Sequence, residues 1–366
     1  MEHKLKILYF SSVNWNWIKQ RPHFIAEGLF KSGYKVDYLS MSPFGKVKIK
    51  NKKFENINFR IIELYSIPLH NKFIFSRIVN KFILNSYIDL DSYDIIIVTN
   101  PNQYGYIKDI KNKIIIYDCM DNNSLFYDGY VRKMIKLWER KLLYKSDKII
   151  VSSNYLYETI IENYGEQLTN KLFVVRNAVD IDFCNYFDIQ EYKSTLKSMK
   201  KPCFMYIGTI ESWLDFDLLN RLLEKNKDWT LYLVGPYSNK MKRKFVENND
   251  RIIWVGKKEH NQIKYWISCA DIMVIPFKIN ELIKSVDPVK MYEFIAMDKT
   301  IISTYWSELE YFSSYDKLHF IDRENIFILE EEDYTENKFF AVNENFINKN
   351  NWGIRIKKYE EILNMD

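Results

Sequence analysis

Residues Asp271–Thr304 read DIMVIPFKINELIKSVDPVKMYEFIAMDKTIIST, and this stretch decides the fold class. The apolar run Ile272–Pro276 has the length and β-branched content of a strand buried on both faces, as in a parallel sheet. Lys278–Val286 is an irregular polar segment. Asp287-Pro288 then sets an N-cap residue before a proline at the first helical position, the local signal for a helix start. Thr300–Thr304 is a second buried strand, which completes a β-loop-α-β unit. Its loop and helix N-terminus lie at the C-terminal edge of a sheet, where open α/β sheets hold their ligands. A helix N-terminus suits an anion such as a diphosphate, and Lys290 adds a point charge. Glu293, three residues on, lies about 60° round the helix and roughly 4.5 Å along it, so one ligand can meet both side chains. A carboxylate accepts hydrogen bonds from sugar hydroxyls. A nucleotide diphosphate with its ribose fits this pair; so does an ordinary amphipathic helix with a solvated Lys–Glu pair. Asp287 reads as structural, its charge taken up by its own helix N–H groups.

The chain has 366 residues, beyond the length at which one core usually stops growing, so two domains are expected. With 47% hydrophobic and 28% charged residues it is globular in composition, and its net charge of +5 argues only weakly for anionic partners. Cys119, Cys184, Cys203 and Cys269 are scattered without metal-site spacing and read as buried thiols of a reducing compartment. The N-terminal apolar run is too short for a signal peptide, and no run reaches the ~18 residues a membrane span needs. The expectation is a cytoplasmic protein, peripheral at the inner membrane face.

Strand and helix patterns alternate throughout. Lys4–Phe10, Val36–Ser40, Phe59–Tyr65, Asp94–Thr99, Lys113–Tyr117 and Lys148–Ser152 are strands of a first parallel sheet, with helices at Arg21–Lys31 and Tyr130–Leu143. A second set comprises Cys203–Ile207, Thr230–Val234, Ile252–Val255, Ile272–Pro276 and Thr300–Thr304. The fold expected is therefore α/β with two Rossmann-like, doubly wound domains facing a cleft. The divisions are 1–183, 184–345 and a C-terminal helix within 346–366 that returns to the first domain.

Several stretches resemble the GT-B glycosyltransferases. Asn177-Ala178-Val179-Asp180 is similar to the turn linking their two halves, and Tyr206-Ile207-Gly208-Thr209-Ile210 to the first strand and loop of their C-terminal domain. Leu233-Val234-Gly235-Pro236, Trp254-Val255-Gly256 and Val286–Glu293 continue the likeness. Trp15 and Trp17 with Gln20-Arg21-Pro22-His23, and Tyr117–Asn122, resemble bacterial transferases of cell-surface polysaccharide, those of the teichuronic-acid type included. The resemblance implies sugar transfer from a nucleotide diphosphate donor, held by the C-terminal domain, to a hydroxyl of a glycan or lipid-linked acceptor. Many retaining members carry a glutamate where this chain has Ser285, and a cation pair after the first C-terminal strand where it has Glu211–Asp215. Both departures bring it nearer to inverting relatives.

The resemblance implies an essential acidic residue after Lys113–Tyr117, matched best by Asp121, with Asp118 beside it; the other reading of either is a turn or cap aspartate. Gly208, Thr209, Lys290 and Glu293 are candidate donor ligands, with backbone N–H groups of Ser285 and Val286. Trp15, Trp17, Arg21 and His23 are candidate acceptor contacts, the rings stacking on sugars and Arg21 reaching an acidic group; the alternative is a buried plug. The Asp-x-Asp pairs 89/91, 180/182 and 215/217 stand at the wrong edge, in the interdomain turn and at a helix start, so no metal and no cofactor beyond the donor is expected. Lys46–Lys53 and the amphipathic Leu69–Ile88, with Phe73, Phe75 and Phe82, could rest on an anionic inner leaflet, or be a solvated loop and a core-packed helix. Nothing supports a nucleic-acid partner. A nucleotide-sugar epimerase of the same fold and an inactive glycan- or nucleotide-binding subunit are the alternatives.

Overall fold

A computed structural model describes residues 5–43, 58–68, 73–185, 188–237, 249–326 and 341–365. The basic run at Lys46–Lys53 lies outside the described residues, as do the first four residues of the Leu69–Ile88 stretch. The chain divides into two compact units, Met1–Arg176 with Trp352–Asp366, and Asn177–Asn351. The division thus falls at Arg176/Asn177 and not at 183, because the short helix Ile181–Asn185 belongs to the second unit.

The first unit is built on β1 (Lys6–Ser11), β2 (Lys35–Pro43), β3 (Phe59–Ser66), β4 (Ile95–Val98), β5 (Ile114–Cys119), β6 (Lys148–Val151) and β7 (Leu172–Val174). They pair in the order β3-β2-β1-β4-β5-β6-β7, every neighbour parallel. The second unit repeats the plan with β8 (Cys203–Ile207), β9 (Thr230–Val234), β10 (Ile252–Gly256), β11 (Ile272–Ile275), β12 (Thr300–Ser303) and β13 (Leu318–Phe320), in the order β10-β9-β8-β11-β12-β13. Both sheets reverse direction of growth beside their first strand, next to β4 in one and β11 in the other; this is the doubly wound arrangement. The central strands β4, β8, β9 and β11 are buried at every residue. Each such Ile or Val contributes about 1.5–3 kcal/mol relative to exposure. The edge strands β7 and β13, three residues each, carry no periodic signal and escape a reading of the sequence.

Local chemistry places the elements that matter below. Helix Arg21–Lys31 starts at Gln20, whose side chain and that of His23 form a reciprocal cap, and stops where Gly33 adopts φ 100°. Helix Trp352–Leu363 lies against it. Phe24 stacks on Trp352 at 4.9 Å, and a Cβ on Gly28 would fall 2.3 Å from Ile356 Cγ1, so glycine sets how closely the two helices approach. Lys148 donates to the carbonyls of Ile362 (2.6 Å) and Met365, closing the C-terminal end of that helix.

Gly28→Leu should lower stability by about 1–3 kcal/mol in denaturant titration, the usual cost of overfilling a close contact. Ile356→Ala in the same chain should recover part of the loss; an unchanged midpoint for the single variant would show that the helices do not meet there.

Candidate active site

In the first unit the C-terminal strand edge carries the expected acidic and aromatic residues, and it separates them into two kinds. Asp118, the fifth residue of β5, is fully buried. It accepts from Tyr9 Oη (2.7 Å) and Arg21 Nε (3.1 Å), and Arg21 Nη2 lies 3.0 Å from Oδ1. Arg21 also donates to the Val175 carbonyl (2.7 Å) and to Tyr359 Oη (3.3 Å). Neither residue has the role expected of it. A guanidinium and a carboxylate this deep are kept because each satisfies the other, so Arg21 is not presented to an acceptor and Asp118 is no base for one. Burial also pushes the Tyr9 and Tyr359 hydroxyls well above the ordinary phenol range, and the Asp118 charge adds to it. His23 is likewise internal: its Nδ1 accepts from the Gln20 N–H (3.0 Å), and burial draws the imidazole down to about 4, so it stays neutral. Trp15 sits between Tyr38 (4.8 Å) and Phe59 (5.5 Å), partly covered, while Trp17 is exposed.

Asp121 is different. It lies two residues past β5 in a loop held by its backbone: Ser152 Oγ donates to the Met120 carbonyl (2.8 Å) and Asn123 Nδ2 to the Asp121 carbonyl (3.1 Å). Its carboxylate accepts no hydrogen bond among the described residues, and the short helical turn that follows is capped at Asn122, not by Asp121. The cap reading therefore fails for Asp121. Burial raises the carboxyl to about 6, against the opposing pull of the Arg21 charge. A rigidly held, unpaired carboxylate with a raised pKa, still largely ionised at neutral pH, is a competent proton acceptor.

In the second unit the ends of β8 and β11 bring Lys290 between two rings. Its Nζ lies 4.4 Å from the Tyr206 ring centre and 5.1 Å from that of Phe277, and it donates to Tyr206 Oη at 3.2 Å. Desolvation lowers it to about 7, with Glu293 acting in the opposite sense. Gly208 makes the room. Its φ is 144°, its N–H is already bonded to the Val234 carbonyl (2.9 Å), and a Cβ there would lie 2.5 Å from Lys290 Nζ. The half-buried Thr209 follows, its carbonyl accepting from Tyr206 Oη (3.0 Å). Glu293 meets His260 Nε2 at 3.4 Å, with the His260 ring 5.2 Å from Phe183. Tyr206 and Phe277 stand in the motifs quoted above without being singled out. His260 has no local signal, since only the fold joins it to a residue so far along the chain.

Several expectations about this loop are corrected. Lys278–Val286 is not wholly irregular: Asn280 caps a helical turn, Glu281–Lys284. That turn consumes the backbone donors assigned to a ligand, because Ser285 N bonds to the Leu282 carbonyl (3.2 Å) and Val286 N to that of Ile283 (3.0 Å). Ser285 is fully buried, its hydroxyl also on the Leu282 carbonyl. The following helix begins at Val289, with Pro288 in the cap position. Asp287 accepts from the Asn177 N–H (2.6 Å), 110 residues away, and from Oη of Tyr292 (3.1 Å), a side chain of the helix it precedes, so its charge is shared between a distant backbone group and its own helix. Of the Asp-x-Asp residues, Asp89 caps a turn, Asp180 accepts from the Asp182 N–H, and Asp215 caps helix Phe216–Lys225 while pairing with Arg323. The four cysteines are free and buried.

With this geometry, comparison with known proteins becomes informative. The fold matches sucrose-phosphate synthase from Thermosynechococcus elongatus over 98% of each chain, with a TM-score of 0.78 and 13% identity. It matches Anabaena HepE, determined in complex with UDP and glucose, over 98% of this chain and 99% of that one (TM-score 0.70, 11% identity). The catalytic domain of starch synthase IV from Arabidopsis thaliana, bound to ADP and acarbose, aligns over 98% of each chain (TM-score 0.64, 10% identity). Residues 23–183 match the sequence pattern of Glycosyltransferase Family 4. By fold, then, the chain has the GT-B architecture of these proteins, and under half of its length matches the family pattern. Among curated proteins it is similar to TuaH of Bacillus subtilis (strain 168), described as a teichuronic acid biosynthesis glycosyltransferase, at 27% identity over 202 residues. The match takes in 52% of this chain and 50% of the relative, so the chain spans about half the length of the curated relative it matches.

Asp118→Asn should destabilise the protein by about 3–5 kcal/mol, since it leaves Arg21 buried without its counter-charge. Thermal and denaturant unfolding would show it; a normal midpoint with selective loss of turnover would instead return Asp118 to the chemistry.

Proposed function

We propose that this chain transfers a sugar from a nucleotide diphosphate donor to a hydroxyl of a glycan or lipid-linked acceptor in surface-polysaccharide assembly. The reading places it in the cytoplasm at the inner membrane face, with inversion at the anomeric carbon and no metal. The observation that carries it is Lys290, a lysine held among rings at the strand ends where doubly wound sheets take their ligands. Its position suits the two negative charges of a departing diphosphate. Glu293, steadied by His260, suits the ribose hydroxyls. Asp121 takes the acceptor hydroxyl proton as the oxygen forms its bond to the anomeric carbon and the bond to the diphosphate breaks. Trp17 offers a ring for acceptor sugars.

Inversion is supported by Ser285: a buried hydroxyl committed to a backbone carbonyl is no substitute for the glutamate of many retaining relatives. Metal independence is supported by the Asp-x-Asp carboxylates, which are used as caps and in the ion pair with Arg323. Likeness to TuaH supports the polysaccharide setting.

Thermal shift against a panel of UDP-, GDP- and TDP-sugars identifies the donor; no shift with any would favour an inactive binding subunit. With that donor, Asp121→Asn should slow turnover by ~10²–10⁴ while leaving the unfolding midpoint unchanged. Equal turnover of variant and parent would remove Asp121 from the mechanism.

Lys290 sets a pH signature. Free, it loses its proton near 7, whereas an adjacent diphosphate favours the charged form. Donor affinity should therefore be full below about pH 7 and weaken above it by up to ~10-fold per unit, with proton uptake on binding. The unliganded protein should behave in the linked sense, losing stability as pH falls from the lysine's ordinary 10.5 towards about 7. Calorimetry in buffers of different ionisation heat reads the uptake, and Lys290→Met should abolish both the slope and the uptake.

A further inference from the structure

Helix Ile74–Tyr87 is mounted with its apolar side outward. It buries Ser76, Asn80 and Leu84. Asn80 fastens it by accepting from the Ile67 N–H (2.7 Å) and donating to the Ile67 carbonyl (3.0 Å). Ile74, Phe75, Ile78 and Phe82 project from the opposite side, between 62% and 73% exposed. These positions fall within about 100° of arc on the helix, so they form one continuous stripe and not scattered surface residues. The core-packed reading of this helix holds for its inner face, where Leu84 joins the hydrophobic core, and does not account for the stripe.

The charges around the stripe select what covers it. The helix has no acidic residue, and Arg77 reaches across to lie 5.1 Å over Trp138 of helix Gly129–Lys145. Lys81 is already paired with Asp109 (2.8 Å), so most of the free positive charge comes from the second helix. Lys133, Lys136 and Arg140 are exposed there beside the exposed Leu137. Its single acid, Glu139, points inward to Tyr117 (3.2 Å) and Tyr164 (2.8 Å). Rings and branched aliphatic chains flanked by an excess of cations, with the exposed Asp109 already paired to Lys81, are the chemistry of an interfacial helix on an anionic bilayer. A protein groove would supply apolar contact, but nothing in it would demand this one-sided charge.

The geometry points to a membrane-docking face on the first unit, formed by helix Ile74–Tyr87 with the cationic side of helix Gly129–Lys145, that seats in the headgroup region of an anionic lipid surface. This deepens the membrane part of the proposed function. No helix among the described residues is long and apolar enough to cross a bilayer, which leaves surface seating as the mode for this face.

Co-sedimentation of the full chain with vesicles tests it without donor or acceptor, so its failure leaves the transfer reading untouched. The protein should partition onto phosphatidylcholine vesicles containing phosphatidylglycerol at least ~10-fold better than onto phosphatidylcholine alone. Phe75→Ser, Ile78→Ser and Phe82→Ser together, at exposed positions, should cut that binding by ~10-fold or more with the unfolding midpoint unchanged. Lys133→Gln, Lys136→Gln and Arg140→Gln together should weaken it comparably and remove most of its salt sensitivity. Equal partitioning onto both vesicle types, or full binding by the apolar triple variant, would overturn the proposal. So would sedimentation velocity showing a dimer that the apolar triple variant disperses, because the stripe would then belong to a second copy.

Discussion

A parallel strand cannot return through a tight turn, so each strand of these sheets starts again from the same side and ends at the same edge. The rest of the molecule follows from that constraint. Both sheet faces must be covered, which is why the central strands are runs of Ile, Val and Leu. All strand ends gather their loops together, and the polar residues that escape the cores collect there. Asp121 past β5 and Lys290 at the ends of β8 and β11 occupy this same place in their own units.

Burial acts in opposite ways on the charges at those edges. The Arg21–Asp118 pair is neutralised internally and extended through Tyr9, Tyr359 and the Val175 carbonyl; it ties the first strand, the first helix and the last helix into one unit. Such a network contributes cohesion and leaves nothing over for a ligand. Asp121 and Lys290 are desolvated without a close counter-charge, and their pKa values move towards neutrality for that reason. A partner that supplies the missing proton or negative charge is favoured at each. This difference in compensation, more than residue type, separates structural ions from the functional candidates.

The helix that faces outward shows the same principle from the apolar side. Periodicity reveals an amphipathic helix but not which side meets the core. Asn80 decides this by satisfying both backbone groups of Ile67, an arrangement no apolar side chain could make. Similarly, an Asp-Pro pair reads as a helix cap until Asn177 and Tyr292 are folded against Asp287 and take its charge.

The central strands, the alternation with helices and the two-sheet plan are written in local patterns, because hydrophobic period and chain stops act over a few residues. The GT-B likeness could be read from ordered short motifs for the same reason, and so could Lys290, Glu293 and Asp121 as candidates. Tertiary structure alone decided that Arg21 and Asp118 pair internally and that His260 stands beside Glu293. The turn that takes the Ser285 and Val286 N–H groups is local, whereas these pairs depend on partners tens of residues away. A polar side chain's free energy is set by whether such a partner arrives, and no local pattern carries that information.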